Sequence, residues 1–176
     1  MSFRQRMSKV FYFEILTHII LNPGQFFEKN ASGTGVLRSF GFLTLSGVIF
    51  STASALLHAP KNPFLAGGVL FANTIGMTVI SALISYLILF ALRFRTVSLA
   101  QCMTVFAFSS GAAAAAAWLP HCIWLTEPWK WYLVGTGMSR VGELSRKQTV
   151  IVVLATIAVL VAVFSQVGVL VGTKSF

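Results

Sequence analysis

Residues 64 to 95 read FLAGGVLFANTIGMTVISALISYLILFALRFR, an uncharged run that ends at Arg93 and Arg95. The uncharged part holds about 29 residues, more than the roughly 20 that an α-helix needs to cross a bilayer. It therefore predicts a transmembrane helix that is tilted or whose first turn lies in the interface. The two arginines indicate the cytoplasmic end, because short loops rich in Lys and Arg are retained on that side.

The composition of the whole chain agrees with lipid as its main solvent. Of 176 residues, 56% are hydrophobic and only 10% are charged, whereas a soluble domain carries roughly 25% charged residues. The formal net charge of +9 does not indicate nucleic-acid binding, since the basic residues flank apolar runs and form no single face or tail. Anionic lipid headgroups are the expected partner of these charges.

The basic residues divide the chain into membrane-crossing segments. Ten of the thirteen lie in three places, between residues 4 and 38, at 93 to 95 and at 140 to 147. We expect an all-α polytopic membrane protein with five transmembrane helices, a cytoplasmic N-terminus and a periplasmic C-terminus. With four spans, Arg140, Arg146 and Lys147 would lie on the outer side, against the charge rule. The expected spans are about 37–57, 64–92, 98–119, 128–142 and 149–171.

Residues 1 to 36 are expected to form a cytoplasmic part of their own. The segment 8–21 is too short to span and fits an amphipathic helix in the interface, with Ile15 and Ile19 facing lipid. No small-residue cleavage site follows it, so we expect no cleaved signal peptide. Phe26 and Phe27 are expected to anchor at headgroup depth, and residues 31–35 to form a linker. The fourth span is expected to start at residues 126–128, TEP, with Lys130 extending to the outer surface.

Polar and small residues occur at helical spacing within the predicted spans. One small-residue ridge consists of Gly68, Ala72 and Gly76. Further small-residue pairs at the same spacing begin at Gly111 and Gly135 and lie at 168/172. Packing inside the bundle is the expected role, with a homo-oligomer contact as the alternative for the 168/172 pair. The second span also carries a polar stripe, which is either a helix–helix hydrogen-bond seam or the wall of a polar path. Its members are Asn73, Thr74, Thr78, Ser81 and Ser85.

No catalytic or metal-binding pattern stands out, so we expect a protein that is not an enzyme and has no cofactor. The chain has four acidic residues and no Ser-His-Asp pattern, nucleophile elbow or phosphate loop. His58 and His121 end spans on the outer side without a third ligand, and Cys102 and Cys122 have no metal spacing. We interpret both cysteines as small apolar residues.

Two segments resemble the Yip family of five-span, Ypt/Rab-interacting membrane proteins. Residues 22 to 27, NPGQFF, look like the family's entry motif after a short helix. Residues 131 to 147, WYLVGTGMSRVGELSRK, are similar to its fourth span and the turn that follows. The stretch 126–130, TEPWK, departs from the smoother family pattern. The resemblance covers about 20 to 172 and implies a membrane protein without known catalysis; the short N-terminal region is similar to that of bacterial members.

Two functions remain open at this point. The first is a non-enzymatic scaffold or accessory subunit of a membrane complex, bound to lipid and to another membrane protein or to itself. The alternative is a transporter or translocating protein for a small molecule or lipid, with its path along the polar stripe. The residues expected to contact headgroups or a partner are Arg4, Arg6, Lys9, Arg93, Arg95, Arg140, Arg146 and Lys147.

Overall fold

A computed structural model describes residues 3–30, 35–58, 61–94, 97–119 and 122–172, with side-chain surroundings given between residues 12 and 165 except at Ile123. All regular structure in these ranges is helical. The helices are α1 Phe3–Leu21, α2 Pro23–Asn30, α3 Gly35–His58, α4 Pro63–Ala91, α5 Leu99–Ala117, α6 Ile123–Gly142 and α7 Arg146–Gly172.

Within the described residues, four helices are long and apolar enough to cross a membrane: α3, α4, α5 and the Arg146–Ser165 part of α7. They correspond to the first, second, third and fifth predicted spans. The predicted fourth span is also a helix, α6, with 20 residues. It does not belong to the four, and its sequence carries Glu127, Lys130 and Arg140.

Side-chain caps define where several helices begin. Asn62 accepts a hydrogen bond from the Leu65 amide at the start of α4, with Pro63 in the first turn. Ser98 and Gln101 form a reciprocal capping box at the start of α5, as the prediction of a start near residue 98 requires. Such caps satisfy amide groups that the first helical turn leaves without partners.

Helix α6 begins earlier than its sequence suggests. The TEP stretch was expected to open it at residues 126–128, and this is wrong. The amides of Leu125 and Thr126 donate to the Cys122 carbonyl at 3.0 and 2.8 Å, so the helix starts at Ile123. Pro128 lies inside the helix, where it cannot donate the amide hydrogen bond that the Trp124 carbonyl would otherwise accept. At its other end α6 stops at Glu143, whose φ of 51° lies in the left-handed region.

Helix α5 lies at the centre of the bundle and contacts α3, α4 and α6. Its run of small residues permits this position: Gly111 lies so close to α3 that an added Cβ would come within 2.7 Å of the Phe42 ring. Close approach of backbones through small residues is the main source of helix association in lipid. Helices α4 and α7 are the least covered of the four and face outward along most of their length.

Helix α1 packs on the bundle through the face that was expected to contact lipid. Ile15 and Ile19 are buried in protein, and the Tyr12 hydroxyl lies 3.1 Å from the Ser46 Oγ of α3. Phe13 remains exposed on the other side. An apolar face fits lipid and protein equally well, so the sequence pattern alone does not distinguish the two.

Helix α2 inserts its two phenylalanines into the bundle, which corrects their expected role as headgroup anchors. Phe27 is 0% exposed and Phe26 is 5% exposed. The Phe26 ring meets the Phe108 ring of α5 edge to face, with centroids 4.9 Å apart. Phe27 lies against Gly137 of α6, where an added Cβ would be 3.2 Å from the Phe27 ring. The Asn22-Pro23 break, which ends α1 and starts α2, makes this insertion possible.

Candidate functional site: a polar cavity among four helices

A cavity of about 450 Å³ lies between α4, α5, α6 and α7, with Phe50 of α3 at its edge. The cavity draws on the middle of α4 and α7, the N-terminal half of α6 and the C-terminal half of α5. It extends from the middle of the bundle toward the end away from Arg93, Arg140 and Arg146. Its polar lining consists of Asn73, Thr74, Thr78, Ser81, Ser110, Thr126, Glu127 and Lys130.

The stripe on α4 divides into two parts. Asn73, Thr74, Thr78 and Ser81 line the cavity, whereas Ser85 does not. Thr74 and Thr78 donate their hydroxyl hydrogens to the carbonyls of Leu70 and Thr74, at 2.9 and 2.8 Å. These hydroxyls keep their lone pairs available to a donor in the cavity. Asn73 is exposed at the edge of the cavity, beside the outer face of α4.

Ser85 connects α4 to α7 by a hydrogen bond, one turn of α4 beyond the last cavity residue, Ser81. Its Oγ lies 2.7 Å from the Oγ1 of Thr156, and both residues are buried. Thr156 gives its own hydrogen to the Val152 carbonyl at 2.7 Å, so Ser85 is the donor of the interhelical bond. The polar stripe therefore has two environments on one helix. Ser85 forms a hydrogen bond to α7, and the stripe residues that precede it in α4 line the cavity.

An ion pair on α6 forms part of the opposite wall. Lys130 Nζ lies 2.6 Å from Glu127 Oε2 and 5.3 Å from the centroid of the Trp131 ring. Sequence reasoning assigned Glu127 to the helix start and Lys130 to the outer surface, and so missed their joint place at the cavity. The signal was their spacing of three residues in a chain with very few acids. Hydroxyls, an ion pair and aromatic walls together suit a small polar or zwitterionic group.

The basic residues divide by position. Arg93 is exposed in the turn after α4, where its φ is 59°, and Arg140, Arg146 and Lys147 are exposed at the α6–α7 connection. The last described turns of α4 and α6 and the first of α7 lie at the same end of the bundle. Arg95 lies outside the described residues. So do the side chains of Arg4, Arg6 and Lys9, although their backbone belongs to α1.

Of the two histidines that were predicted to end spans on the outer side, His58 lies within the described residues. Its Nδ1 is 2.9 Å from the Ser54 carbonyl oxygen, one turn earlier in α3. His121 lies outside the described residues.

The small residues predicted to pack helices together have two different environments. Gly111 and Gly135 face neighbouring helices: a Cβ on Gly135 would meet the Thr149 and Val153 side chains at 3.6 and 3.8 Å. By contrast, a Cβ on Gly68 or Gly76 would have no atom within 4 Å, and Ala72 is exposed. The α4 ridge, defined as Gly68, Ala72 and Gly76, therefore makes no close helix contact within the described chain. The surroundings of the glycine pair 168/172 lie outside the described part of the structure.

Comparison with known proteins identifies the family. No curated protein and no solved structure is significantly similar to the chain. The family model for the Yip1 domain matches residues 17–167, most of the chain, and includes every helix from the last turn of α1 to α7. This match confirms the resemblance indicated by residues 22–27 and 131–147. The protein is therefore a multi-pass membrane protein of the Yip1 domain family.

Proposed function

We propose that the protein is a non-enzymatic accessory or scaffold subunit whose α4 ridge binds a transmembrane helix of another membrane protein or of a second copy. The observation that supports this most directly is the open space at Gly68 and Gly76, on a face where Ala72 is exposed as well. Lipid gives helices no hydrophobic reason to associate, so a smooth ridge acts by letting another backbone approach closely. Gly111 does this within the chain, and the α4 ridge offers the same surface outward.

Asn73 adds a polar group next to the ridge. Its side chain is exposed, and it lies eleven residues into a 29-residue helix, at hydrocarbon depth. An amide without a hydrogen-bond partner in lipid costs free energy, whereas an interhelical hydrogen bond contributes about 0.6 to 2 kcal/mol. A partner helix on the ridge brings polar backbone or side-chain groups within reach of Asn73. Shape and polarity thus support the same occupant.

The orientation that we propose is five crossings of a bacterial inner membrane, with the N-terminus cytoplasmic and the C-terminus periplasmic. Helix α6, with 20 residues, is about 30 Å long, which matches the hydrocarbon thickness. Its low hydropathy is tolerable because Leu133, Val134 and Met138 are buried in protein and much of the helix avoids lipid. Five crossings also put Arg93, Arg140 and Arg146 on one side, in accord with the charge rule.

A thiol-labelling experiment tests the fifth crossing. Lys61→Cys and Ser145→Cys are placed separately into a background with Cys102→Ala and Cys122→Ala, and intact cells receive a membrane-impermeant reagent. Both introduced positions are exposed. We expect labelling at 61 and none at 145 until the cells are opened. If α6 does not cross, the two positions lie on the same side, and equal labelling of both in intact cells would refute five crossings.

Filling the α4 ridge tests the partner surface. Ala72→Leu places a bulky side chain on the exposed ridge and should weaken association by about 1.4 kcal/mol, roughly tenfold, since the partner backbone can no longer approach. Ala158→Leu, the same change at an exposed position of α7, is the control and should have no effect. The measurement is the amount of co-purified partner or second copy at fixed stoichiometry. Equal recovery with both variants would contradict the proposal.

The polar cavity supports the alternative function, a transporter or translocating protein. Its about 450 Å³ and its hydroxyl wall are compatible with passage of a small polar group. The double variant Thr78→Val with Ser81→Ala separates the two functions in the same experiment. A scaffold keeps its partner when this wall becomes apolar, because the ridge is unchanged. A conduit instead loses flux with its association intact, and this result would favour the alternative.

A further inference from the structure

A second concave surface lies between α6 and α7 and has a different chemistry from the cavity described above. Its volume is about 570 Å³, and its lining extends from Trp131 to Arg140 on α6 and from Arg146 to Leu154 on α7. The α6–α7 groove, as we call it, opens on the outward face of both helices, where Tyr132, Val150 and Leu154 are exposed. Its two ends differ in polarity, and this difference indicates what the groove binds.

The end at the α6–α7 connection is basic. Arg140 and Arg146 both line it, and both are exposed. Among the described residues, no carboxylate lies within 4.0 Å of either arginine. The acidic residue nearest to them in sequence is Glu143. It is the residue with left-handed backbone that ends α6, and its side chain is exposed. Two arginines without carboxylate partners attract a phosphate, to which the planar guanidinium binds through paired hydrogen bonds.

Helix α2 lies beside the Arg140 side chain. The guanidinium lies over Gly24, where an added Cβ would be 3.3 Å from Nε. The absence of a side chain at Gly24 leaves room for the guanidinium next to the mouth of the groove.

The groove becomes more apolar with distance from the arginines. Three hydroxyl residues, Thr136, Ser139 and Thr149, belong to the lining. Two of them, Ser139 and Thr149, give their hydrogens to the carbonyls of Leu144 and Ser145. The farther walls are formed by Trp131, Gly135, Val150, Val153 and Leu154, over about 12 Å of helix from Arg146 to Leu154. The absence of a side chain at Gly135 deepens the groove where the two helices meet. A charged mouth that leads into an apolar channel along the membrane normal has the polarity of a phospholipid, with the headgroup at the end and an acyl chain along the helices.

We propose that the α6–α7 groove binds one anionic phospholipid, with its phosphate at Arg140 and Arg146 and one acyl chain along Gly135, Val153 and Leu154. The proposal deepens the membrane role proposed above and rests on the fifth crossing, which places both arginines at headgroup depth. It does not depend on the α4 ridge. Each arginine near an anionic surface contributes about 1 kcal/mol, so two of them select an anionic headgroup over a zwitterionic one.

Lipid retention measured by native mass spectrometry tests this site. The full chain is loaded with equal amounts of phosphatidylglycerol and phosphatidylcholine of matched chains, and the excess is washed away. We expect one phosphatidylglycerol per chain in preference to phosphatidylcholine. Arg140→Gln with Arg146→Gln should weaken its retention about thirtyfold, from two charges at about 1 kcal/mol each and about 1.4 kcal/mol per tenfold. Arg93→Gln, at the same end but outside the groove, should change it less than twofold.

Filling the groove gives a second, independent measurement that keeps both arginines. Leu154→Trp, at an exposed groove position, should reduce retention of phosphatidylglycerol, whereas Ile151→Trp, exposed on α7 outside the groove, should not. This pair decides the matter if the double arginine variant does not fold. The proposal is overturned if the unmodified chain retains both lipids equally. It is also overturned if Leu154→Trp and the double arginine variant retain phosphatidylglycerol as well as the unmodified chain does, or if a protein segment is found in the groove. Five crossings with unselective lipid retention would refute the groove alone and leave the proposed topology intact.

Discussion

Phe27→Ala is expected to lower the free energy of unfolding by about 3–5 kcal/mol, the range for removing a fully buried aromatic side chain. Phe27 is 0% exposed and packs from α2 against Gly137 of α6. The loss is large even in a membrane protein because α2 is polar on its other side, with Gln25, Glu28 and Lys29 exposed. When α2 detaches, Phe27 moves toward water and the interface, so its burial retains a hydrophobic contribution.

The control for this variant is Phe64→Ala, because Phe64 is 94% exposed at the start of α4. It should change stability by less than about 0.5 kcal/mol, as substitutions away from packed contacts do. Denaturant titration in a mild detergent, followed by tryptophan fluorescence, measures both. If the two variants proved equally stable, α2 would not be part of the folded bundle and the headgroup-anchor interpretation would return.

Gly111→Val is expected to have the second large effect. A Cβ at this position would be 2.7 Å from Phe42 Cδ1 and 3.3 Å from the Leu43 Cα, so both a ring and a backbone must move. Overpacking costs about 1–3 kcal/mol or more, and here it also separates α3 from α5, which are in close contact. The expected result is a large drop in melting temperature, together with a shift of the purified protein toward aggregates.

Gly41→Val is the matched control, since it makes the same change on α3 at a site with no atom within 4 Å of an added Cβ. The intrinsic helix propensity and the added volume are then equal, and the difference between the variants reports the α3–α5 contact alone. A Gly41 variant as unstable as the Gly111 variant would show that the contact is not what holds these helices together.

The sequence predicted where the helices begin and end better than it predicted what each helix packs against. Long apolar runs and the basic residues that flank them placed most helices within a few residues of their observed bounds. The sequence did not show what covers an apolar face. Ile15, Ile19 and Phe27 face protein, yet the same residues would suit lipid, because both surroundings are apolar. Only the tertiary arrangement distinguishes them.

The candidate site shows the same limit. The spacing of Thr74, Thr78, Ser81 and Ser85 predicted a shared face, and in the structure these side chains are buried or partly buried. It could not show that Ser85 meets Thr156 of α7 while the others line a cavity, because that depends on how four helices diverge. The opposite wall at Glu127 and Lys130 was missed for a related reason: each residue had a sufficient local explanation as a cap or a surface group.

The central claim is that the α4 ridge is an interface with another transmembrane helix. The most direct test replaces Ala72 with a photo-crosslinking residue and irradiates the protein in native membranes. The same residue at Ala158 on α7 serves as the reference for a lipid-facing position, since both side chains are exposed in the structure. We predict a protein adduct of one defined mass at 72 and lipid adducts alone at 158. Lipid adducts alone at both positions would contradict the claim and leave α4 as an ordinary lipid-facing helix.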